Sequence, residues 1–302
     1  MRIGISELFT GEGGRDALFL RDTAVLLETI GFDSIWYPEH VVFFPEYTDE
    51  YPYGTLGGNE VAALRGVYEP FVALAAIAAA TTTVRLGTFV CVVAQREPIS
   101  LARDVAAIDC LSGGRFDFGI GVGWSEAEYE ALGVPFAKRG ARTDEYLEAM
   151  KVLWSDQELT GFDGEFVSFE PLYAYPKPLQ RPHPPIAVGG NSPSAIKRIV
   201  AHGNGWAGYN LDVDEVARFI EDLDTALTAV GRSIDEIELR LGRRSKGKTE
   251  ADWEDDARYL DACAAMGLHE VVVTPRFDVD GYETSARRYA DIIGLGNERK
   301  TS

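Results

Sequence analysis

Along the chain, short apolar runs rich in β-branched residues alternate with longer stretches whose apolar positions recur at helical spacing. The runs at 2–6, 34–37, 84–92, 116–121, 185–188, 205–209, 237–241 and 270–274 predict strands. The periodic stretches at 16–30, 71–80, 99–111, 143–154, 194–202, 213–230, 251–266 and 281–292 predict helices. Gly31, Gly231 and Gly267 close three of these helices, and Pro70 and Pro98 stand at the starts of two others. Eight strand–helix units in 302 residues suit an α/β fold of the (β/α)8 TIM-barrel type, one domain over 1–302. A doubly wound open sheet uses the same alternation and is the competing architecture.

Two segments break the rhythm. The insertion at 41–69 leaves the carboxyl end of the second strand and is rich in Tyr, Pro, Gly and acids. Barrel active sites are built at that end, so the segment, with Tyr47, Tyr51, Tyr53 and Tyr68, is expected to shape an apolar substrate pocket suited to an aromatic or carbonyl compound. The insertion at 155–184 follows the fourth unit and carries a proline-rich stretch; it is expected to return toward the next strand, with part of it over the mouth.

Composition narrows the partners. Hydrophobic residues make up 46% of the chain, enough for a large core. Acidic residues outnumber basic ones 48 to 29, and the net charge of −19 repels nucleic acid and anionic membrane. An anionic cofactor must then find a local cationic or dipolar pocket. Cys91, Cys110 and Cys263 are odd in number, far apart and set in apolar runs, which predicts reduced, buried thiols in a cytoplasmic protein. The longest apolar run, 70–80, is too short for a bilayer, and the chain enters its first strand without a charged-then-apolar leader.

The second strand runs into Pro38-Glu39-His40. A histidine just past a barrel strand faces the mouth and titrates where proton transfer needs it; it also serves as an ordinary turn residue. His183, His202 and His269 lack metal-ligand spacing, so no metal site is expected. Gly119, Gly121 and Gly123 alternate at the end of the fourth predicted strand, clearing one face for a planar ring with Trp124 beside it. Gly189-Gly190-Asn191-Ser192 opens a helix with Pro193 behind it, the pattern of a phosphate-binding helix start and of a plain N-cap alike. Lys177, Arg181, Lys197 and Arg198 are nearby in sequence as sources of positive charge.

Taken as a set, these segments resemble the luciferase-like monooxygenase superfamily, in its deazaflavin (coenzyme F420) branch. The matching text runs from 31 to 36 (Gly-Phe-Asp-Ser-Ile-Trp) with Glu39-His40, through Val84-Arg-Leu-Gly-Thr and Leu111-Ser-Gly-Gly-Arg-Phe. It continues with Gly119-Ile-Gly-Val-Gly-Trp, Glu128, Ala131-Leu-Gly, Arg139 and Arg142-Thr-Asp-Glu, then Pro176-Lys-Pro, Ile186-Ala-Val-Gly-Gly-Asn-Ser and Gly203-Asn-Gly-Trp. The resemblance implies a ring seated at the barrel mouth, touched at its reactive edge by His40, with Glu39 as a weaker catalytic candidate. It also implies a cis peptide at Phe89–Val90 buttressing the ring, and Gly121, Gly123, Trp124, Gly189, Gly190, Asn191 and Ser192 around ring and phosphate. One departure stands out: sugar-phosphate dehydrogenases of that branch carry an acid where this chain has Trp124.

The implied activity is hydride transfer between F420 and a small organic substrate. FMN-dependent monooxygenation on the same fold is the alternative, and a non-catalytic flavin-binding barrel a third reading. The anionic tail of F420 asks for a longer basic groove than FMN, and the Lys and Arg residues of 177–198 lean toward F420. A lysine-dependent aldolase is disfavoured, since no lysine ends a predicted strand. Relatives commonly form homodimers, and the small-residue helix 71–80 is a contact candidate or, equally, a tight packer on the barrel.

Overall fold

A computed structural model describes residues 1–6, 17–44, 67–277 and 280–295. Eight positions of parallel strand close into a barrel: β1 (Arg2–Ile5), β2 (Ser34–Tyr37), β3 (Arg85–Thr88) extended by β4 (Cys91–Val92), β5 (Phe116–Gly121), β8 (Ile186–Gly189), β9 (Gly205–Tyr209), β10 (Glu238–Arg244) and β11 (Glu270–Thr274). Hydrogen bonding runs in the order β3-β2-β1-β11-β10-β9-β8-β5-β4, and pairing of β3 with β5 shuts the ring. The open-sheet alternative is thereby excluded. The outer helices are α1 (Ala17–Ile30), α2 (Pro70–Ala80), α3 (Pro98–Ser112), α4 (Glu126–Ala131), α5 (Arg139–Trp154), α6 (Pro193–His202), α7 (Val213–Thr228), α8 (Glu250–Ala265) and α9 (Tyr282–Ile292).

Local chemistry sets the helix ends. Glu69 and Glu97 accept from the first backbone N–H groups of α2 and α3, each followed by a proline that has no N–H to satisfy. Asp212 and Glu215 form a capping box at the start of α7. Three elements depart from the sequence reading. Helix α5 starts at Arg139, a turn ahead of the periodic stretch. The short helix α4 stands on a Ser125 cap. Within 155–184, β6 (Leu159–Asp163) and β7 (Ser168–Tyr173) form an antiparallel hairpin. Its turn is held by Glu145, whose carboxylate accepts from the N–H groups of Glu165, Phe166 and Val167. Of the insertion at 41–69, residues 45–66, with Tyr47, Tyr51 and Tyr53, lie outside the described residues, while the Tyr68 N–H donates to the Tyr37 hydroxyl at 2.9 Å.

The predicted strand at 84–92 is split. After Thr88 the Phe89–Val90 peptide is cis, and the chain re-enters the sheet as β4 with Cys91 opposite Ile120. Beneath this break the barrel interior is stacked in layers. At the amino ends of the strands, Arg240 sits in a buried ionic layer with Glu270 at 3.1 Å and Asp117 at 3.4 Å, bordered by Arg2, Arg85 and Glu238. Buried charges on this scale persist only when paired and hydrogen-bonded. The Trp36 indole N–H donates down into that layer, to Ser34 Oγ at 2.7 Å and Glu270 Oε1 at 3.1 Å. Its ring meets Phe89 edge-on at 5.6 Å, and Phe89 in turn lies 6.2 Å from Tyr209. Gly87 leaves room for the Trp36 ring, which a side chain there would strike at 2.3 Å. The ionic floor, Trp36 and Phe89 thus form a column ending at the mouth.

Burial corrects one cysteine. Cys91 and Cys263 are buried, but Cys110 is only half-buried and its thiol donates to the Lys177 carbonyl at 3.3 Å. Burial pushes the Cys91 thiol well up and that of Cys263 up to about 11, which leaves both as inert thiols. Among the described residues no helix is long and apolar enough to cross a membrane.

Candidate functional site

At the mouth, Phe89 and Val90 are half-exposed although Thr88 and Cys91 on either side are fully buried. They form an accessible floor. The alternating glycines serve this floor in a way the sequence reading does not capture. A side chain on Gly119 would fall 1.8 Å from the Thr88 carbonyl, on Gly121 2.6 Å from Val90 Cγ2, and on Gly189 2.9 Å from Val90 Cγ1. The space expected for a ring is therefore filled first by the chain's own β3–β4 segment, which carries Val90 up between β5 and β8. Gly123, at φ 69°, similarly clears Val92 and the Tyr129 ring.

His40 follows β2 at the same end of the barrel, half-buried, 5.3 Å from the Phe43 ring and 6.3 Å from Trp124 between centroids. Its Nδ1 is buried without a hydrogen-bond partner, and the nearest acceptor is Glu128 Oε2 at 3.6 Å. The other oxygen of Glu128 accepts from the Val41 N–H at 2.8 Å, pinning the loop that carries His40. Burial on its own raises the Glu128 carboxyl. The adjacent imidazole and the N–H groups of Val41 and Val42 outweigh it and hold the group below the usual carboxylate range.

Glu39 takes a different place from the one anticipated. It is buried, its Oε2 accepts from the Val92 N–H at 2.6 Å, and its Oε1 from Arg96 Nε at 2.7 Å. Arg96 reaches on to Glu69 at 2.7 Å. Both oxygens are committed, so Glu39 ties the end of β2 to β4 and to the head of α2. Nearby, both polar atoms of the Gln95 side chain are buried without a partner, an orphaned amide at the mouth end of the chain.

On the opposite side, Ser192 caps α6 by accepting from the Ala195 N–H. Asn191 is spent on the backbone of Tyr209, donating to its carbonyl at 2.8 Å and accepting from its N–H at 3.1 Å. The Gly190 carbonyl accepts from the Trp206 indole at 2.9 Å. The N-cap reading of this turn is thus realised in hydrogen bonds. Three of the four nearby cations are engaged: Arg198 with Asp144, Arg181 with Asp156, and Lys177 with the carbonyls of Leu153 and Gln157.

Sequence reasoning passed over Glu128, Arg96, Gln95 and Phe43 as functional side chains. Glu128 stands in the matching text of the resemblance but carries no assigned role there. Ser125 does accept from the Glu128 N–H, but the carboxylate turns to the His40 loop.

A closed parallel barrel with its orphaned polar atoms and half-exposed aromatic floor at the strand carboxyl ends defines an enzyme of the TIM-barrel class. A sequence model of the luciferase-like monooxygenases matches residues 1–290, and the chain belongs to that family. It is an oxidoreductase of a family that binds a flavin-like cofactor. An uncharacterized protein of Mycobacterium tuberculosis is 36% identical over 221 residues, 72% of this chain and 76% of that one. The oxygenase component of a flavin-dependent trigonelline monooxygenase from Acinetobacter baylyi is 34% identical over 194 residues, 63% of this chain and 52% of that one. Two solved structures share the fold at a TM-score of 0.76, each covering 97% of this chain and 98% of the other. They are a monooxygenase from Streptomyces bottropensis at 22% identity and an F420-dependent secondary alcohol dehydrogenase, solved with an F420-acetone adduct, at 16%.

Proposed function

We propose that the chain catalyses oxidoreduction of a small organic substrate on a flavin or deazaflavin ring held against Phe89–Val90, with His40 as the proton-handling group. The observation that carries this reading is the buried Nδ1 of His40, 3.6 Å from Glu128, at the same end of the barrel as the half-exposed Phe89–Val90 floor. Orphaned polar atoms at Gln95 and His40 and a flat apolar floor suit a planar heteroaromatic ring with polar edges. The bound ring would supply the two-electron chemistry. Glu128, 3.6 Å from Nδ1, would favour the tautomer protonated there and leave Nε2 to give or take a proton. Phe43 and Trp124 shield that exchange from water.

Two cofactors suit this site. The F420 reading rests on the motif set of residues 31–206, and FMN-dependent monooxygenation is supported by the flavin-dependent relative at 34% identity. The backbone turn at Gly189–Ser192 would meet the phosphate of either. Equilibrium titration with F420 and, separately, FMN, read by fluorescence in wild type and His40→Ala, decides between them. Micromolar binding of F420 alone supports hydride transfer, and preference for FMN supports oxygenation. Binding of neither removes the proposal.

A further inference from the structure

A few residues past the Phe89–Val90 floor, one guanidinium joins three segments that the sequence keeps far apart. Arg96 follows β4 after a short 3-10 turn, Val93–Gln95, and its own N–H donates to the Val93 carbonyl at 3.1 Å. Its side chain reaches the end of β2, where Nε donates to Glu39 Oε1 at 2.7 Å and Nη2 donates to the same oxygen. Nη2 also donates to Glu69 Oε1 at 2.7 Å at the head of α2, and the guanidinium lies 5.2 Å from the Phe71 ring. Glu39 stands just before the insertion at 41–69 and Glu69 closes it, so Arg96 spans its base. The Tyr68 N–H on the Tyr37 hydroxyl is a second tie between the same two stretches.

His40 sits between two anchors. On its amino side Glu39 is held by Arg96 and the Val92 N–H; on its carboxyl side the N–H groups of Val41 and Val42 donate to Glu128. The anchors differ in what they need. Glu128 has backbone donors from the loop that it holds, whereas the buried Glu39 carboxylate has Arg96 as its one ion-pair partner among the described residues. A buried carboxylate that loses its counter-charge turns out toward water or takes up a proton. Turning out carries the adjoining His40 peptide with it. His40 Nδ1 is already 3.6 Å from Glu128, past the roughly 3.2 Å limit of an ordinary N–H···O bond, so little displacement is needed to lose that pairing.

We infer that Arg96 is a positioning residue for His40: it neutralises buried Glu39, pins it to Glu69, and so keeps Nδ1 of the histidine against Glu128. The inference rests on the reading of His40 as the proton-handling group. Arg96 makes no hydrogen bond or ion pair with the imidazole, so its effect passes through Glu39. Lysine is an imperfect substitute, because one ammonium on a flexible stem lacks the planar fork that meets both carboxylates.

The test is nitrogen NMR of the imidazole rings of the full chain, at a pH well above the ordinary histidine range, where the two ring shifts report the tautomer. The chain has four histidines, and the His40 signals are those missing from His40→Ala. Wild type and the exposed control Arg288→Lys should show mainly the Nδ1–H form. Arg96→Gln should lower the ratio of Nδ1–H to Nε2–H about threefold or more, with Arg96→Lys in between. In a Glu128→Gln background, Arg96→Gln should change nothing further. A wild-type ratio in folded Arg96→Gln overturns the inference, as do an equal fall with and without Glu128 and a wild type already in the Nε2–H form. Far-UV circular dichroism checks folding. If Arg96→Gln fails it, Glu69→Ser, which keeps a cap on α2 but gives up Arg96, should lower the ratio about twofold, and an unchanged ratio there is contrary. The measurement needs neither cofactor nor substrate. Failure of wild type to bind FMN or F420 therefore removes the flavin-type reading, whereas an unmoved tautomer in Arg96→Gln removes this inference alone.

Discussion

The Nδ1 of His40 and Oε2 of Glu128 lie 3.6 Å apart, while the other oxygen of that carboxylate anchors the backbone at Val41. One side chain thus sets both the position of the His40 loop and the environment of its ring. With His40 as the proton group, Glu128 acts through it by favouring the tautomer with Nδ1 protonated. Glu128→Gln keeps an acceptor for Val41 but loses the charge. It is expected to lower kcat about 10- to 100-fold with KM nearly unchanged, against a larger loss in His40→Ala. Steady-state kinetics with the cofactor selected by titration checks this, and an unaltered kcat in Glu128→Gln removes the pair from the mechanism.

The same carboxylate sets a pH dependence. Burial opposes its ionisation, but His40 and the N–H groups of Val41 and Val42 win, so its folded value lies below the ordinary one. A group lowered by folding contributes stability that is complete above its unfolded value and disappears as pH falls through the folded one. The stability difference between wild type and Glu128→Gln should therefore shrink as pH falls below about pH 4.3, the ordinary glutamate value. Urea unfolding at stepped pH measures it. A difference that grows on acidification contradicts the assignment.

The barrel was legible because both faces of a parallel strand are buried, so β8 and β11 read as apolar runs and the helices between as periodic ones. The hairpin β6–β7 was not, because its strands are largely exposed and interrupted by Gly161 and Pro171, which leaves no alternation to read. His40 was legible by position, one residue type at the end of one strand. Glu128 was not, since its partner is 88 positions away and only folding brings α4 under the β2 loop. The glycines of β5 were legible as clearance, but what fills the clearance, Val90, depends on a backbone turn at Phe89–Val90 that no pairwise spacing reveals.

Those glycines differ in what a methyl group would strike. Gly119→Ala meets the Thr88 carbonyl, which β3–β5 pairing holds in place, so it should cost more than about 3 kcal/mol and yield little folded protein. Gly121→Ala meets only the tip of Val90, and should cost about 1–3 kcal/mol while pushing Val90 into the mouth. Cofactor affinity should fall with it, and Gly121→Ala/Val90→Ala should recover most of the stability. Denaturant unfolding of the single and double variants tests the coupling, and simple additivity refutes it.

Glu39 separates a holding task from a chemical one. Its carboxylate is buried, with Val92 N–H on one oxygen and Arg96 on the other, so removing it strands a buried N–H and leaves a partly buried guanidinium with Glu69 alone. Breaking a buried pair from one side costs about 3–5 kcal/mol, far more than an exposed pair. Glu39→Ala should therefore lower unfolding free energy by that order, whereas Glu39→Gln, which still accepts from Val92, should lose less. The folded fraction of Glu39→Gln should retain kcat within about threefold, since the side chain does not reach the reacting atoms. Were Glu39 the proton group, Glu39→Gln would instead abolish kcat with little loss of stability, the reverse pattern. Paired measurement of unfolding and turnover on the two variants distinguishes these cases, because only a positioning residue couples the loss of activity to the loss of fold.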